Sequence, residues 1–501
     1  MNWYTWITAS LLILLTVHAD AQEPLAAAED STPSVLELSL EDAVLLGLQH
    51  NRGLRMEQLN PVIAGAFEQI ERAAFDPELF AGLGFSQESA QETSRSSGEK
   101  FAVEGRDSSA EIGVRQELPT GTELEASVGM DRSISNRAPE QQQLRYGLTV
   151  TQQLLRGLGS AVNFAAVRQA ALDTRVSVYE LRGYTEAFVA EIEITYWRYV
   201  AALESIAVFE KTLQVAATRL AQADARIEVG ELSEFAVAAA RAEFSEREQD
   251  LIDARSAQQV LRYQLIRMIY PGLPMPQLRE LLAISSPPEQ VGDSLPDASG
   301  STSLALRSRP ELKEAELRLE RDELETVVTR NGRLPRLELF INLGKSGFAD
   351  TFRESYRGSD GPSYDLAFGL EFSQALGSRA PRARDQIARS SLEQAREALA
   401  NLQDLIRFDV FAALNELDRS QQQLQASGRT RLFRAQSLQA EADRFDVGSS
   451  NALNLVIAQR DYIESQIAEI NARVDYQIAR IELYRAEGSL LERRGISVQG
   501  F

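Results

Sequence analysis

Apolar positions along this chain change period several times, and they do so twice in the same order. From Leu40 to about Ala74 they fall at helical spacing, and past Asp76-Pro77 they alternate as Leu79, Ala81, Leu83 and Phe85. The switch recurs when helical spacing from Leu304 to about Asn331 gives way at Leu334-Pro335 to Leu337, Leu339, Ile341 and Leu343. Proline disfavours helix in the residue before it, which locates both changes of period. After a polar loop each copy returns through a related strand, GLTVTQQL from Gly147 and GLEFSQAL from Gly369, and enters a long helical run. These runs extend from Ala161 to about Val229 and from Ala383 to about Val447. At roughly 65 to 70 residues each would reach about 100 Å, far beyond a usual globular helix. In the second run Leu392, Ala395, Leu399, Leu402, Ile406, Val410, Ala413, Leu417 and Leu424 recur at three- and four-residue steps, the spacing of a coiled assembly.

Both runs end at related sequences, RIEVGELSEF from Arg226 and RFDVGSSNAL from Arg444, and helix resumes at once beyond them. Glycine tolerates the left-handed conformation that closes a helix, and Ser or Asn just after it can cap the next. Each sequence therefore predicts a tight helical hairpin tip, with returning helices from about Glu234 to Met268 and Ala452 to Glu487. The plan divides the chain into a first repeat over 38–270, with strands within about 79–152, and a second over 304–487, with strands within about 337–376. A Pro-rich linker over 271–303, without a periodic segment longer than a turn or so, joins them, and residues 488–501 form a tail.

Six segments alternate, the first half adding Ile112–Leu118 and Leu124–Met130 around the turn Pro119-Thr120-Gly121. That pair forms either two further strands of the sheet or a hairpin on an outer loop. On the other face of the alternating segments lie Gly82, Gly84, Gly113, Arg115, Glu125, Ser127, Gly147, Thr149, Glu371 and Ser373. A polar lumen with an apolar lipid face gives this pattern, and so does a half-buried soluble sheet. Four or six strands are too few to close a wide barrel, so several chains would have to share one.

The first residues add a compartment. Ile7–Val17 is apolar and Ala19-Asp20-Ala21 suits signal-peptidase cleavage before Gln22, although Met1–Trp6 carries no Lys or Arg. Residues 1–21 are read as a secretory signal and 22–37 as an amino-terminal extension. No later stretch approaches the ~20 apolar residues of a spanning helix, so a membrane-embedded chain would have to span as a β-barrel.

Charge and composition remove whole classes of function. A net charge of -21 argues against nucleic acid as a partner. The absence of cysteine excludes disulfides, thiolate metal sites and cysteine nucleophiles. Histidine occurs only at His18, within the signal, and at His50, which stands alone, so His-based triads and His-rich metal sites are missing. Arg156-Gly157-Leu158-Gly159-Ser160 is Gly-rich but lacks the P-loop lysine, and reads as the bend from strand to helix. No catalytic, cofactor-binding or metal residue is assigned, and acidic pairs on long helices are read as solvated faces.

With the opening LSLEDAVLLGLQHN from Leu38, TQQLLRGLG from Thr151, and the V-G tips at Val229-Gly230 and Val447-Gly448, the chain resembles the TolC-like outer-membrane efflux proteins, or outer membrane factors, over almost its whole mature length. The resemblance implies a mainly helical fold with a membrane β part. Long coiled α-hairpins would form an α-barrel, and strands from two internal repeats would join a shared trimeric transmembrane β-barrel. It implies a homotrimer in the outer membrane, contacting outer-membrane lipid, with helices projecting into the periplasm. The assembly would be a passive duct of a tripartite efflux or type I secretion system, working with an inner-membrane pump and a periplasmic adaptor. Adaptor docking carries over to the tips, onto Val229, Gly230, Leu232, Ser233, Val447, Gly448, Ser449 and Ser450.

Three departures limit the likeness. An acidic ring found after the second tip in some members meets Asn454 and Ile457 here, the proline often found after the strand glutamine is replaced by Gln153 and Ala375, and the strand pair around Pro119 is additional. The alternative reading is a periplasmic coiled-coil scaffold or adaptor.

Overall fold

A computed structural model describes residues 36–93, 98–136, 138–228, 234–272, 282–284 and 295–497. The expected signal, residues 1–21, lies outside them. A short strand β1 (Leu36–Leu38) leads into three helices, α1 (Leu40–His50), α2 (Arg52–Glu57) and α3 (Leu59–Ala73). This corrects the single helical run expected from Leu40 to Ala74. Ser39 opens α1 through a reciprocal capping box with Asp42. Asn51 then takes an extended conformation that ends α1, while its side chain accepts from Leu54 N at 2.9 Å to cap α2.

Four strands follow: β2 (Glu78–Thr93), β3 (Lys100–Leu118), β4 (Thr122–Ser135) and β5 (Ala138–Gln153). A short α4 (Ser160–Asn163) precedes α5 (Ala165–Glu228), and α6 (Glu234–Ile269) returns beside it. Next come β6 (Leu282–Ile284), α7 (Ala298–Ser308), α8 (Pro310–Asn331), β7 (Arg336–Ala349), α9 (Phe352–Gly358) and β8 (Tyr364–Ser373). The chain ends with α10 (Arg379–Asp446), α11 (Ala452–Ala486) and α12 (Leu490–Arg493). With 64 and 68 residues, α5 and α10 are each about 100 Å long at 1.5 Å per residue.

Two further expectations are corrected. The segment 271–303 holds β6, which pairs in parallel with β1, and the first half of α7. Asp297 caps α7 by accepting from Gly300 N at 2.8 Å, so a helix starts in the apolar-poor run Ala298–Ser303. Helical spacing from Leu304 is also broken, because Pro310 holds Arg309 extended and begins α8 as its first residue.

The core lies at mid-height, where α1, α5, α6, α11 and α12 converge on Val189, Ile192, Tyr196, Leu265, Ile269, Ile481 and Leu490. Gly47 brings α1 close to α5: a Cβ there would sit 2.4 Å from Ile192 Cδ1. At one end of the long helices stands a single antiparallel sheet of order β2-β3-β4-β5-β7-β8. Four strands come from the first half of the chain and two from the second.

Candidate functional site

The sheet's two faces differ in chemistry, and cross-strand register makes the difference continuous. Leu79, Val114, Ala126, Leu148, Leu343 and Leu366 are successive partners from β2 to β8, one apolar row through all six strands. Ala81, Ile112, Val128, Tyr146, Lys345 and Tyr364 form the next row, with aromatic rings flanking the one charge. Nothing among the described residues covers the middle of this face; Leu83 is 90% and Phe368 73% exposed. Single exposed apolar residues are ordinary, but a contiguous face of this extent needs an apolar surrounding.

The opposite face is polar. Its rows read Glu78, Arg115, Glu125, Thr149, Asn342 and Ala367, then Phe80, Gly113, Ser127, Gly147, Gly344 and Asp365. Arg115 pairs with Glu78 at 2.7 Å, and Arg145 reaches Asp365 at 2.6 Å across β7. Glycine at 344 permits that reach, since a Cβ there would meet the Asp365 carboxylate at 2.1 Å. Both ion pairs are largely exposed and contribute little to stability; they set the sign and wetness of the surface.

At the helix end of the sheet, Pro119–Gly121 turns β3 into β4, with Gly121 at φ 83° donating to Leu118 O at 2.9 Å. The bend after β5 holds this turn. Gly157 and Gly159 have φ of 83° and 92°, Gly159 N donates to Thr120 O at 3.1 Å, and Asn163 Nδ2 donates to Pro119 O at 3.1 Å and Gly157 O at 2.7 Å. The Gly-rich run at 156–160 is thus the strand-to-helix bend its sequence predicts, and also the seat of the β3–β4 turn.

Both lateral edges of the molecule are uncovered among the described residues. β2 pairs only with β3 and β8 only with β7. The helices beneath follow the same order, α3 packing on α5, α5 on α8 and α8 on α10. The outward side of α3 exposes Leu59, Val62, Ile63, Phe67 and Ile70, each more than half accessible, at the spacing of one helical face. At the other edge α10 exposes Ile387, Phe408 and Phe411.

At the far end of the long helices one of the two expected tips falls among the described residues. Val229, Gly230, Leu232 and Ser233 lie outside the described residues. The second tip is a Schellman closure: Gly448, at φ 74°, donates to Phe445 O at 3.0 Å, and Ser449 N to Arg444 O at 2.8 Å. Val447 is 78% exposed, Ser449 Oγ also donates to Arg444 O, and Ser450 Oγ donates to Glu441. Asn451 caps α11 by accepting from Asn454 N at 2.9 Å.

Sequence reasoning missed a set of buried charges where the C-terminal segment docks at mid-height. Arg494 pairs with Glu193, Arg493 with Glu487, and Leu490 N donates to Glu186 Oε1 at 3.0 Å. Burial raises the Glu186 carboxyl to about 7, against the opposing effects of the Leu490 N–H and Arg182. The long helices carry so many charges that nothing in the linear order marks these three. No cluster of metal-ligating side chains occurs among the described residues, and no described helix is long and apolar enough to cross a membrane.

Comparison with known proteins agrees with this geometry. Residues 302–489 match the family of outer membrane efflux proteins. The pyoverdine export outer membrane protein OpmQ of Pseudomonas putida is 25% identical over 301 residues, 59% of this chain and 60% of its own, so the alignment spans under two thirds of that relative. A crystallised membrane protein from Pseudomonas aeruginosa superposes with a TM-score of 0.68 at 21% identity, over 93% of this chain and 98% of its own. The Campylobacter jejuni CmeC outer membrane channel gives 0.68 at 16% identity, over 90% and 86%. The fold is that of these membrane proteins along nearly the whole chain.

Proposed function

We propose that this chain, a member of the outer membrane efflux protein family, is the outer-membrane channel of a tripartite efflux or type I secretion system. It is a passive duct that carries substrate delivered by an inner-membrane pump and a periplasmic adaptor. The apolar row from Leu79 to Leu366 carries this reading, because it backs onto a polar face and stands on helices about 100 Å long. Lipid solvates the first face and water the second.

An open sheet in lipid leaves two edges of unpaired backbone groups, each costing several kcal/mol if left so. The edges of β2 and β8 are different surfaces, so their union is head-to-tail, and a rotation that closes turns it into a ring. In that ring α3 of one copy lies beside α10 of the next, burying Leu59, Ile63, Phe67 and Ile70 against Ile387 and its neighbours. We take the ring to hold three copies, a number the family resemblance supports. Its tips, including Gly448, Ser449 and Ser450, face the adaptor.

Fractionation tests the reading against a periplasmic scaffold. The protein should stay with the outer membrane after a high-salt wash, and release by salt would reject the channel. A paired substitution adds the face assignment. Phe368→Arg should block assembly, since an arginine in the lipid-facing midplane costs about 2–4 kcal/mol, whereas Ala367→Arg on the polar face should assemble.

A further inference from the structure

We infer that the β3–β4 hairpin is a full wall element of the shared barrel, so that each chain contributes six strands and the mouth in the outer membrane is as wide as the helical tunnel below. This rests on the channel reading above and concerns the bore, hence the size class of cargo. An evenly repeated plan would supply β2, β5, β7 and β8, the four strands that continue into α3, α5, α8 and α10. β3 and β4 lie between β2 and β5 with no helix of their own beneath.

Two observations make them wall rather than surface flap. Register is unbroken from β2 through β3 and β4 to β5 over the whole height of the apolar face, and Ile112 and Val128 extend the same apolar row as Ala81 and Tyr146. The hairpin's turn also sits at the helix end of the sheet, seated on the bend of Gly157 and Gly159. A flap at the cell surface would have its turn at the opposite end, whereas this turn lies against the bend that leads into α5.

The width follows from stagger. Leu79 lies one residue from the helix-side end of β2, whereas its row reaches β8 at Leu366, seven residues from the helix-side end. That offset, about 20 Å along the strand over about 24 Å across five strand spacings, gives a tilt of ~40°, within the range of closed barrels. At that tilt each strand occupies about 6 Å of circumference, so six span about 38 Å and four only about 25 Å. Four helices side by side, at 8–10 Å apart, span roughly 32–40 Å. Six strands therefore span the width of four helices. In a trimer the backbone-to-backbone diameter is about 36 Å with eighteen strands and about 24 Å with twelve. The outer-membrane mouth is then no narrower than the helical layer that leads into it.

The chain has no cysteine, so single cysteines can carry spin labels without background. Labels at Ile112→Cys and Val128→Cys, in the full chain reconstituted in lipid vesicles, should collide with oxygen and be shielded from a water-soluble nickel chelate, as should the reference Phe368→Cys on β8. Ser127→Cys should show the reverse. Nickel access at 112 and 128 with Phe368→Cys shielded overturns the six-strand wall while leaving the channel intact. Nickel access at all three overturns the channel reading itself. Electron microscopy of the unlabelled assembly should resolve eighteen strands, and twelve would reject the wide mouth.

Discussion

Arg494 holds Glu193 by two parallel hydrogen bonds, Nε to Oε1 and Nη2 to Oε2, both 2.7 Å, and the Glu193 side chain is wholly buried. The pair ties the C-terminal segment to the middle of α5, 301 residues earlier in the chain. Truncating the arginine leaves a carboxylate with neither water nor counter-charge. Arg494→Ala should therefore cost about 3–5 kcal/mol, the usual penalty of an orphaned buried charge. Arg494→Lys should recover only part, because an ammonium cannot present the planar fork. Thermal unfolding of the assembled protein and proteolytic release of the C-terminus measure both; parental behaviour of Arg494→Ala would refute the tie.

Glu186 supplies a pH dependence in the same place. Burial raises its folded pKa from 4.5 to about 7, so between these values the folded chain binds the proton more tightly than the unfolded one. Stability from this group is thus gained as pH falls from about 7 towards 4.5 and lost as pH rises through 7. The protonated carboxyl still accepts from Leu490 N, so docking of α12 should tighten in acid. Hydrogen exchange at Leu490 should slow between pH 8 and pH 5.5, beyond the intrinsic effect of pH, and Glu186→Gln should abolish that excess. An unchanged excess in Glu186→Gln would assign the effect elsewhere.

Gly488 and Gly495 separate backbone strain from crowding. Their φ values are 66° and 68°, so an added Cβ costs each about 1–2 kcal/mol. At Gly495 that Cβ meets nothing within 4 Å, whereas at Gly488 it lies 2.9 Å from Arg309 N and Cα. Those are backbone atoms at the α7–α8 break and cannot rotate away. Gly488→Ala should be clearly the more destabilising in thermal melts, and equal losses would mean that Arg309 moves aside freely.

How much of this was legible depended on whether a pattern was long. The hairpins α5–α6 and α10–α11 lie within a few residues of the predicted runs, because dozens of periodic positions fix a helix, and Gly448 fixes the end of α10. All six strands were also found, but not their length: β3 runs back to Lys100 through EGRDSS, polar on both faces, where alternation carries no signal. The parallel pair β1–β6 was missed because three-residue strands have no period and their pairing is set by the core. α9, capped by Thr351, and the break at Arg309-Pro310 are decided by single residues. The buried pairs of Glu193 and Glu487 depend on chain segments brought together only by folding.

The tip at Gly448 offers the test that bears most on partners. Its Schellman closure requires positive φ, and a Cβ there would meet nothing within 4 Å, so a larger residue is opposed by the backbone rather than by crowding. Gly448→Val should cost about 1–2 kcal/mol locally and reshape the turn, whereas Gly448→Asn should be mild, since asparagine enters the left-handed region readily. The sheet stands about 100 Å away along α10, so barrel insertion and yield of the assembly should not change in either variant. Export and capture of the periplasmic adaptor should fall for valine and remain for asparagine. Bulk alone is controlled by a valine at the exposed mid-helix position Gln422, which should be mild, and Gly230→Val applies the same question to the first hairpin. If the Gly448→Val and Gly230→Val proteins captured adaptor and exported cargo like the parent, the V-G pairs would be turns and nothing more, and docking would belong to another part of the tunnel.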